Sequence, residues 1–173
     1  MKKLTISLES IEAIVFDFDG VLTDNKVYLN QDGKESVSCS RADGLAFDVL
    51  RKLQKSVYIL STERNPVITA RAKKLKIPAI QSVNNKADGI KQLAKKEVFD
   101  LQKTLYIGND LNDYHAMQLC GYTACPSDSH NKIKEISAIV LETTGGNGIV
   151  REFLEVFFQL DFMKILYTKK EEK

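Results

Sequence analysis

Two aspartates, Asp17 and Asp19, follow the apolar run Ile14-Val15-Phe16 and lead directly into Gly20. Carboxylates can attack an electrophilic centre, shuttle a proton or hold a hard cation. The β-branched and aromatic residues before them predict a buried strand of a parallel sheet. The two carboxylates then stand at the C-terminal end of that strand, where open α/β sheets bind ligands. In an extended chain their side chains would point to opposite faces, so both reach one site only if the chain turns there, and Gly20 permits the turn. Charges this close repel unless a cation joins them, and ligands made only of oxygen favour one such as Mg²⁺. An Asp-Gly pair alone is an ordinary turn signal. The whole run Asp17-Phe18-Asp19-Gly20-Val21-Leu22-Thr23-Asp24 is more specific.

The elements that must position these residues alternate between strand and helix patterns. Residues 57–60 read as a buried strand ending at Ser61-Thr62-Glu63-Arg64-Asn65-Pro66, and Pro66 opens a helix that carries Arg71, Lys73 and Lys74. A short strand over 79–81 precedes a helix from Lys86 to Lys96, and a strand over 104–107 delivers Gly108-Asn109-Asp110-Leu111-Asn112-Asp113 to the same sheet edge. Between the first strand and a helix over 42–54, two short strand-like runs around Asn30-Gln31-Asp32-Gly33 predict a β-hairpin at about 26–39. Further strands are expected over 122–125 and 138–141, and a short helix over 129–136 with His130 on its surface. Gly145-Gly146-Asn147-Gly148 is a flexible loop that either connects or cradles phosphate through backbone N–H groups. A terminal helix is expected to run on through Val156, Phe157, Phe158, Leu160, Phe162 and Ile165, with enough apolar surface to bury against the core and a partner. The reading is an α/β, Rossmann-like, doubly wound parallel sheet in one domain over 1–173, with the C-terminal helix and tail at about 148–173.

Composition excludes several classes. With 25 basic and 23 acidic residues interspersed, the net charge of +2 forms neither a nucleic-acid stripe nor a polybasic membrane patch. No apolar run approaches the ~18 residues that would span a bilayer. No leader-like segment precedes Ile11, so the expected location is the cytoplasm. Cys39, Cys120 and Cys125 lack metal-ligand spacing and are expected to be reduced thiols. Residues 169–173, Lys-Lys-Glu-Glu-Lys, are expected to be a solvated tail.

The run from Asp17 to Asp24 resembles the first motif of the haloacid dehalogenase superfamily, most of whose members are Mg²⁺-dependent phosphotransferases. The resemblance implies that Asp17 is the nucleophile and forms an aspartyl-phosphate, while Asp19 protonates the leaving oxygen and later activates water. It further implies that Ser61 hydrogen-bonds the transferring phosphoryl group and that a lysine neutralises phosphate and nucleophile. Lys86 fits because it starts its helix, and Lys91 is the neighbouring alternative. The segment from Gly108 resembles the motif that completes the Mg²⁺ site, giving Asp17, Asp19, Asn109 and Asp110 as ligands with Asp113 in support. Superfamily members usually have Asp where this chain has Asn109, and an amide brings no charge, so metal affinity should fall unless Asp110 compensates. Gly20, Thr62, Glu63, Arg71 and Lys74 are the expected substrate contacts.

The hairpin is too small for a cap domain. In the capless subfamily that the chain resembles, neighbouring subunits of a homotetramer cover the site instead. Nearly the whole chain, to about Phe158, is similar to 3-deoxy-D-manno-octulosonate 8-phosphate phosphatases, which serve lipopolysaccharide biosynthesis. It is also similar to the phosphatase-like domains and 9-phosphate phosphatases of nonulosonate, or sialic-acid-type, biosynthesis, and the stretches 38–45, 61–66 and 108–110 look most like the domain joined to N-acylneuraminate cytidylyltransferases. Glu63 matches the nonulosonate enzymes, where the octulosonate enzymes typically carry Arg. Two functions follow: a Mg²⁺-dependent phosphatase acting on a phosphorylated 2-keto-3-deoxy sugar acid, or a catalytically weak or silent assembly domain associated with a sialic-acid-type cytidylyltransferase pathway.

Overall fold

Six parallel strands form the central sheet in the order β5-β4-β1-β6-β7-β8. The computed structural model describes residues 6–168, so the expected charged tail at 169–173 lies outside the described residues. In chain order the strands are β1 (Ala13–Phe16), the hairpin strands β2 (Tyr28–Leu29) and β3 (Glu35–Ser36), β4 (Ser56–Leu60), β5 (Ala79–Ile80), β6 (Thr104–Ile107), β7 (Tyr122–Cys125) and β8 (Ile139–Val140). The helices are α1 (Ala42–Lys52), α2 (Val67–Leu75), α3 (Lys86–Glu97), α4 (Tyr114–Leu119), α5 (Asn131–Ile136), α6 (Ile149–Glu152) and α7 (Phe162–Tyr167).

Both faces of the sheet are covered, as the unbroken apolar β1 requires. Ile14 and Phe16 face α1 and α2 through Phe47, Leu50, Ile68 and Ala72, and Phe16 meets Phe47 edge-on with ring centroids 5.4 Å apart. Ala13 and Val15 face α3, α4 and α5 through Ile90, Leu93, Met117 and Ile133. Each fully buried Val, Leu, Ile, Phe or Met side chain among these contributes about 1.5–3 kcal/mol.

The register of the three central strands sets the site. Phe16 is opposite Ile59 of β4 on one side and Ile107 of β6 on the other, so Asp17, Ser61 and Gly108 emerge at one edge. The chain leaves β1 toward β4 and β5, then returns to β6 on the other flank. The crevice therefore lies at a topological switch point.

Several expectations are corrected. The hairpin ladder is only two residues long on each side, pairing Tyr28 with Ser36 and Leu29 with Glu35. The C-terminal helix is not continuous: α6 passes into a wider π turn over Phe153–Phe157, Gln159 takes a left-handed φ of 53°, and Asp161 restarts the helix by accepting the Lys164 N–H at 3.0 Å. Within this stretch the rings of Phe153, Phe157 and Phe158 pack on one another at 4.8–5.6 Å. Helix α4 has no counterpart in the sequence reading.

Candidate active site

Asp17 is buried at the end of β1, and its backbone N–H still continues the sheet by donating to the Ile107 carbonyl at 2.9 Å. One carboxylate oxygen receives the Lys86 ammonium at 2.7 Å, and the same ammonium lies 2.7 Å from Asp113. Lys86 opens α3, where the side chain of Asn85 caps the helix by accepting from the Ala87 and Asp88 N–H groups. Burial pulls the Lys86 pKa down, but the charges of Asp17 and Asp113 outweigh it and the net shift is upward. Burial, with the charge of Asp113, pushes Asp17 up to about 8 against the pull of Lys86. Lys91 is solvent-exposed and lies 3.7 Å from Asp88, so the geometry selects Lys86 between the two.

Asp113 turns away from the cleft. Its Oδ1 accepts from Lys86 and from the Tyr106 hydroxyl at 2.9 Å, and its Oδ2 accepts the backbone N–H of Asn109 at 3.0 Å and of Asp110 at 3.3 Å. It therefore fixes the loop after β6 and adds no free charge to the cleft. Gly108 sits against it, since a Cβ there would collide with the Asp113 side chain.

The cleft in front of Asp17 has a volume of about 310 Å³ and is lined by Asp17, Asp19, Ser61, Thr62, Glu63, Asn109 and Asp110 among others. Asp19 is half-buried, and its pKa is raised by burial first and then by the charge of Glu63, against Lys86. Ser61 is buried and accepts the Glu63 N–H at 3.1 Å, which leaves its own hydroxyl proton free to be donated. Gly20 lies beneath the cleft with a φ of 78°; a side chain there would strike the Asn109 amide. Arg71 and Lys74 do not reach the cleft: the Arg71 guanidinium donates to the Ser40 carbonyl at 2.6 Å, and Lys74 is exposed on α2. Nor does the glycine loop offer a phosphate cradle, because the Gly145 N–H donates to Asp128 at 2.9 Å and the Gly146 N–H to the Val21 carbonyl at 3.0 Å.

The donor set fits a hard cation. Asn109 is buried in the cleft, and its Oδ1 has no hydrogen-bond partner. Among the described residues no three His, Cys, Asp or Glu side chains gather into a metal cluster, so a cation here would depend on this amide and on main-chain oxygen beside the carboxylates. Asp110 is exposed and accepts the Leu111 N–H at 2.7 Å, which makes Asn109 the better placed of the two.

The sequence reading missed the hairpin's share of the wall. Lys26, Val27, Glu35 and Val37 line the cleft, and Asn65 donates to Glu35 at 2.9 Å, joining hairpin to the loop after β4. The only signal was the insert's place between β1 and α1.

A profile of haloacid dehalogenase-like hydrolases matches residues 45–153, a span that holds Ser61, Lys86 and Asn109 but begins after Asp17 and Asp19. The 3-deoxy-D-manno-octulosonate 8-phosphate phosphatase of Haemophilus influenzae is 30% identical over 153 residues, 88% of this chain and 85% of that protein. N-acylneuraminate cytidylyltransferase A of Danio rerio is 25% identical over 169 residues, 95% of this chain and 37% of that protein. The structure of 3-deoxy-D-manno-octulosonate 8-phosphate phosphatase from Moraxella catarrhalis, in complex with magnesium ion, phosphate ion and KDO, matches with a TM-score of 0.81 at 29% identity, covering 90% of this chain and 87% of that one.

Proposed function

The chain belongs to the haloacid dehalogenase-like hydrolases, and from that premise we propose that it is a Mg²⁺-dependent phosphatase that hydrolyses the phosphomonoester of a 2-keto-3-deoxy sugar acid through an aspartyl-phosphate. The observation that carries the reading is the Asp17 carboxylate, pinned by Lys86 through one oxygen at the floor of a cleft that also holds Asp19 and Ser61. The phosphatase from Haemophilus influenzae supports the substrate class.

The free oxygen of Asp17 attacks phosphorus and the bond from phosphorus to the sugar oxygen breaks. Asp19, whose raised pKa favours the acid form, gives its proton to the leaving oxygen. As a carboxylate it then takes a proton from the water that attacks the aspartyl-phosphate, which releases inorganic phosphate and restores Asp17. Ser61 donates to a phosphoryl oxygen, and Lys86 orients Asp17 and opposes the rise in its pKa. Asp17, the main-chain carbonyl of Asp19 and Asn109 would hold the Mg²⁺, which supplies positive charge for the transferring phosphoryl group.

Beyond the phosphate, the described wall carries Glu35 and Glu63 against one cation, Lys26. A substrate carboxylate there would be repelled, so the hydroxyl-bearing end enters and the carboxylate faces outward. Val27, Tyr28 and Leu29 are 59%, 55% and 68% exposed on the hairpin beside the cleft, an apolar tip that supports coverage by neighbouring copies in a homotetramer.

The test is phosphate release from p-nitrophenyl phosphate and from octulosonate and nonulosonate phosphates, with and without Mg²⁺, for wild type and Asp17→Asn. Mg²⁺-dependent release that vanishes in Asp17→Asn is expected; an Asp17→Asn protein of normal rate would remove Asp17 from the mechanism. Absence of any release would favour a silent assembly domain, the reading suggested by Asn109 and by likeness to the cytidylyltransferase.

A further inference from the structure

Asp43 is a carboxylate on the first turn of α1, 1% exposed and outside the cleft. Its Oδ1 accepts two backbone N–H groups from the far end of the chain, Val150 at 3.0 Å and Arg151 at 3.3 Å, while its Oδ2 has no hydrogen-bond partner. A buried acid this expensive to desolvate would be replaced by an apolar residue if packing α1 were its only task.

What it holds is the start of α6, and α6 holds the glycine loop before it. Glu152 of α6 accepts the Glu142 and Thr143 N–H groups at 2.8 Å each, so one short helix grips the segment 142–148 at both ends. That segment presses on the loop carrying Asp19. The Gly146 N–H donates to the Val21 carbonyl at 3.0 Å. A Cβ on Gly145 would collide with the Gly20 carbonyl, and one on Gly146 with the backbone of Thr23 and Asp24. The loop beneath is itself tied by Thr23, whose hydroxyl accepts the Gly20 N–H at 3.1 Å, and Gly20 packs under Asn109.

We propose that Asp43 is a positioning residue of the active site: through α6 it clamps the 145–148 loop onto residues 20–24, and so sets where Asp19 and Asn109 stand relative to Asp17. The inference rests on the phosphatase reading for its kinetic consequence but not for its structural one. A displacement of the order of 1 Å at reacting groups costs roughly a hundredfold in rate.

The experiment compares Asp43→Ala and Asp43→Asn with wild type by two readouts, taken well below the melting temperature. One is hydrogen exchange of the Gly146 amide by NMR; the other is kcat and KM for p-nitrophenyl phosphate with Mg²⁺. Asp43→Ala is expected to exchange Gly146 at least tenfold faster and to lose at least tenfold in kcat, with KM within threefold. Asp43→Asn keeps an oxygen acceptor for both N–H groups and is expected to rescue both readouts to within threefold. A folded Asp43→Ala with wild-type exchange or wild-type kcat overturns the proposal. If Asp43→Ala does not fold, Asp43→Asn decides alone: retained values uphold the clamp, and a tenfold loss in either readout overturns it. A wild-type protein without phosphatase activity would sink the functional reading only, since the Gly146 exchange still reports the clamp.

Discussion

Replacing Lys86 with Met removes the one ammonium between two buried carboxylates while keeping most of the side-chain volume. The oxygens of Asp17 and Asp113 each lie 2.7 Å from it. They are therefore within about 5.4 Å of each other, where like charges at an effective dielectric of about 20 repel by roughly 3 kcal/mol. Truncating one member of a buried ion pair costs about 3–5 kcal/mol by the same logic, a large share of the roughly 5–15 kcal/mol that holds a domain. The variant can relieve the repulsion by binding a proton. Asp17 is the natural acceptor, being already pushed up to about 8 by burial and by Asp113. A carboxyl whose folded pKa is raised further destabilises the fold most above that pKa, and wild-type Asp17 already stands at about 8, so the deficit against wild type should grow as pH rises above 8 and be smaller and level below it. Urea unfolding at pH 9 should show a loss of about 3 kcal/mol, and hydrolysis of p-nitrophenyl phosphate at pH 7 should fall at least a hundredfold because Asp17 loses the ammonium that orients it and opposes its protonation. A Lys86→Met protein within 1 kcal/mol of wild type and within tenfold in rate would refute the reasoning.

Asn109→Asp should tighten Mg²⁺ binding and raise the rate at limiting Mg²⁺, read by titrating the metal against phosphate release; an unchanged titration would move the ligand role to Asp110. Glu35→Ala should raise KM several-fold for polyhydroxylated sugar phosphates and leave p-nitrophenyl phosphate, which has no hydroxyl groups to present, unaffected; equal effects on both would deny the hairpin a part in selectivity. Burial pushes Asp43 up to about 6 from 3.8, against its two backbone hydrogen bonds. This group's contribution is therefore most favourable below pH 4 and is lost as pH rises through 6, a swing of about 3 kcal/mol that Asp43→Asn should flatten in urea titrations at pH 4 and pH 7.

Some of the site was legible because strand ends are. Apolar runs of four or five residues ending at Asp17, Ser61 and Gly108 announce strands, and a parallel register aligns their ends without further information. Lys86 was legible for a related reason: a helix start faces the same sheet edge as the strand before it. What stayed hidden depends on direction within an element rather than on its place. Arg71 and Lys74 sit on the right helix, yet the Arg71 guanidinium is drawn to the Ser40 carbonyl beside the charge of Asp43, a residue distant in sequence that no local pattern announces. Glu35 joins the wall only because a two-residue ladder folds back and Asn65 catches it. Asp43 has no local signal either, because its bond to Val150 spans most of the chain. The glycines after residue 144 illustrate the same limit from the other side. Their sequence advertises free N–H groups for an anion, but Gly145 and Gly146 lie too close to the backbone of Gly20, Thr23 and Asp24 for a side chain, and their N–H groups are taken by Asp128 and by the Val21 carbonyl. A glycine run therefore signals close approach before it signals a ligand, and which backbone approaches is a tertiary fact.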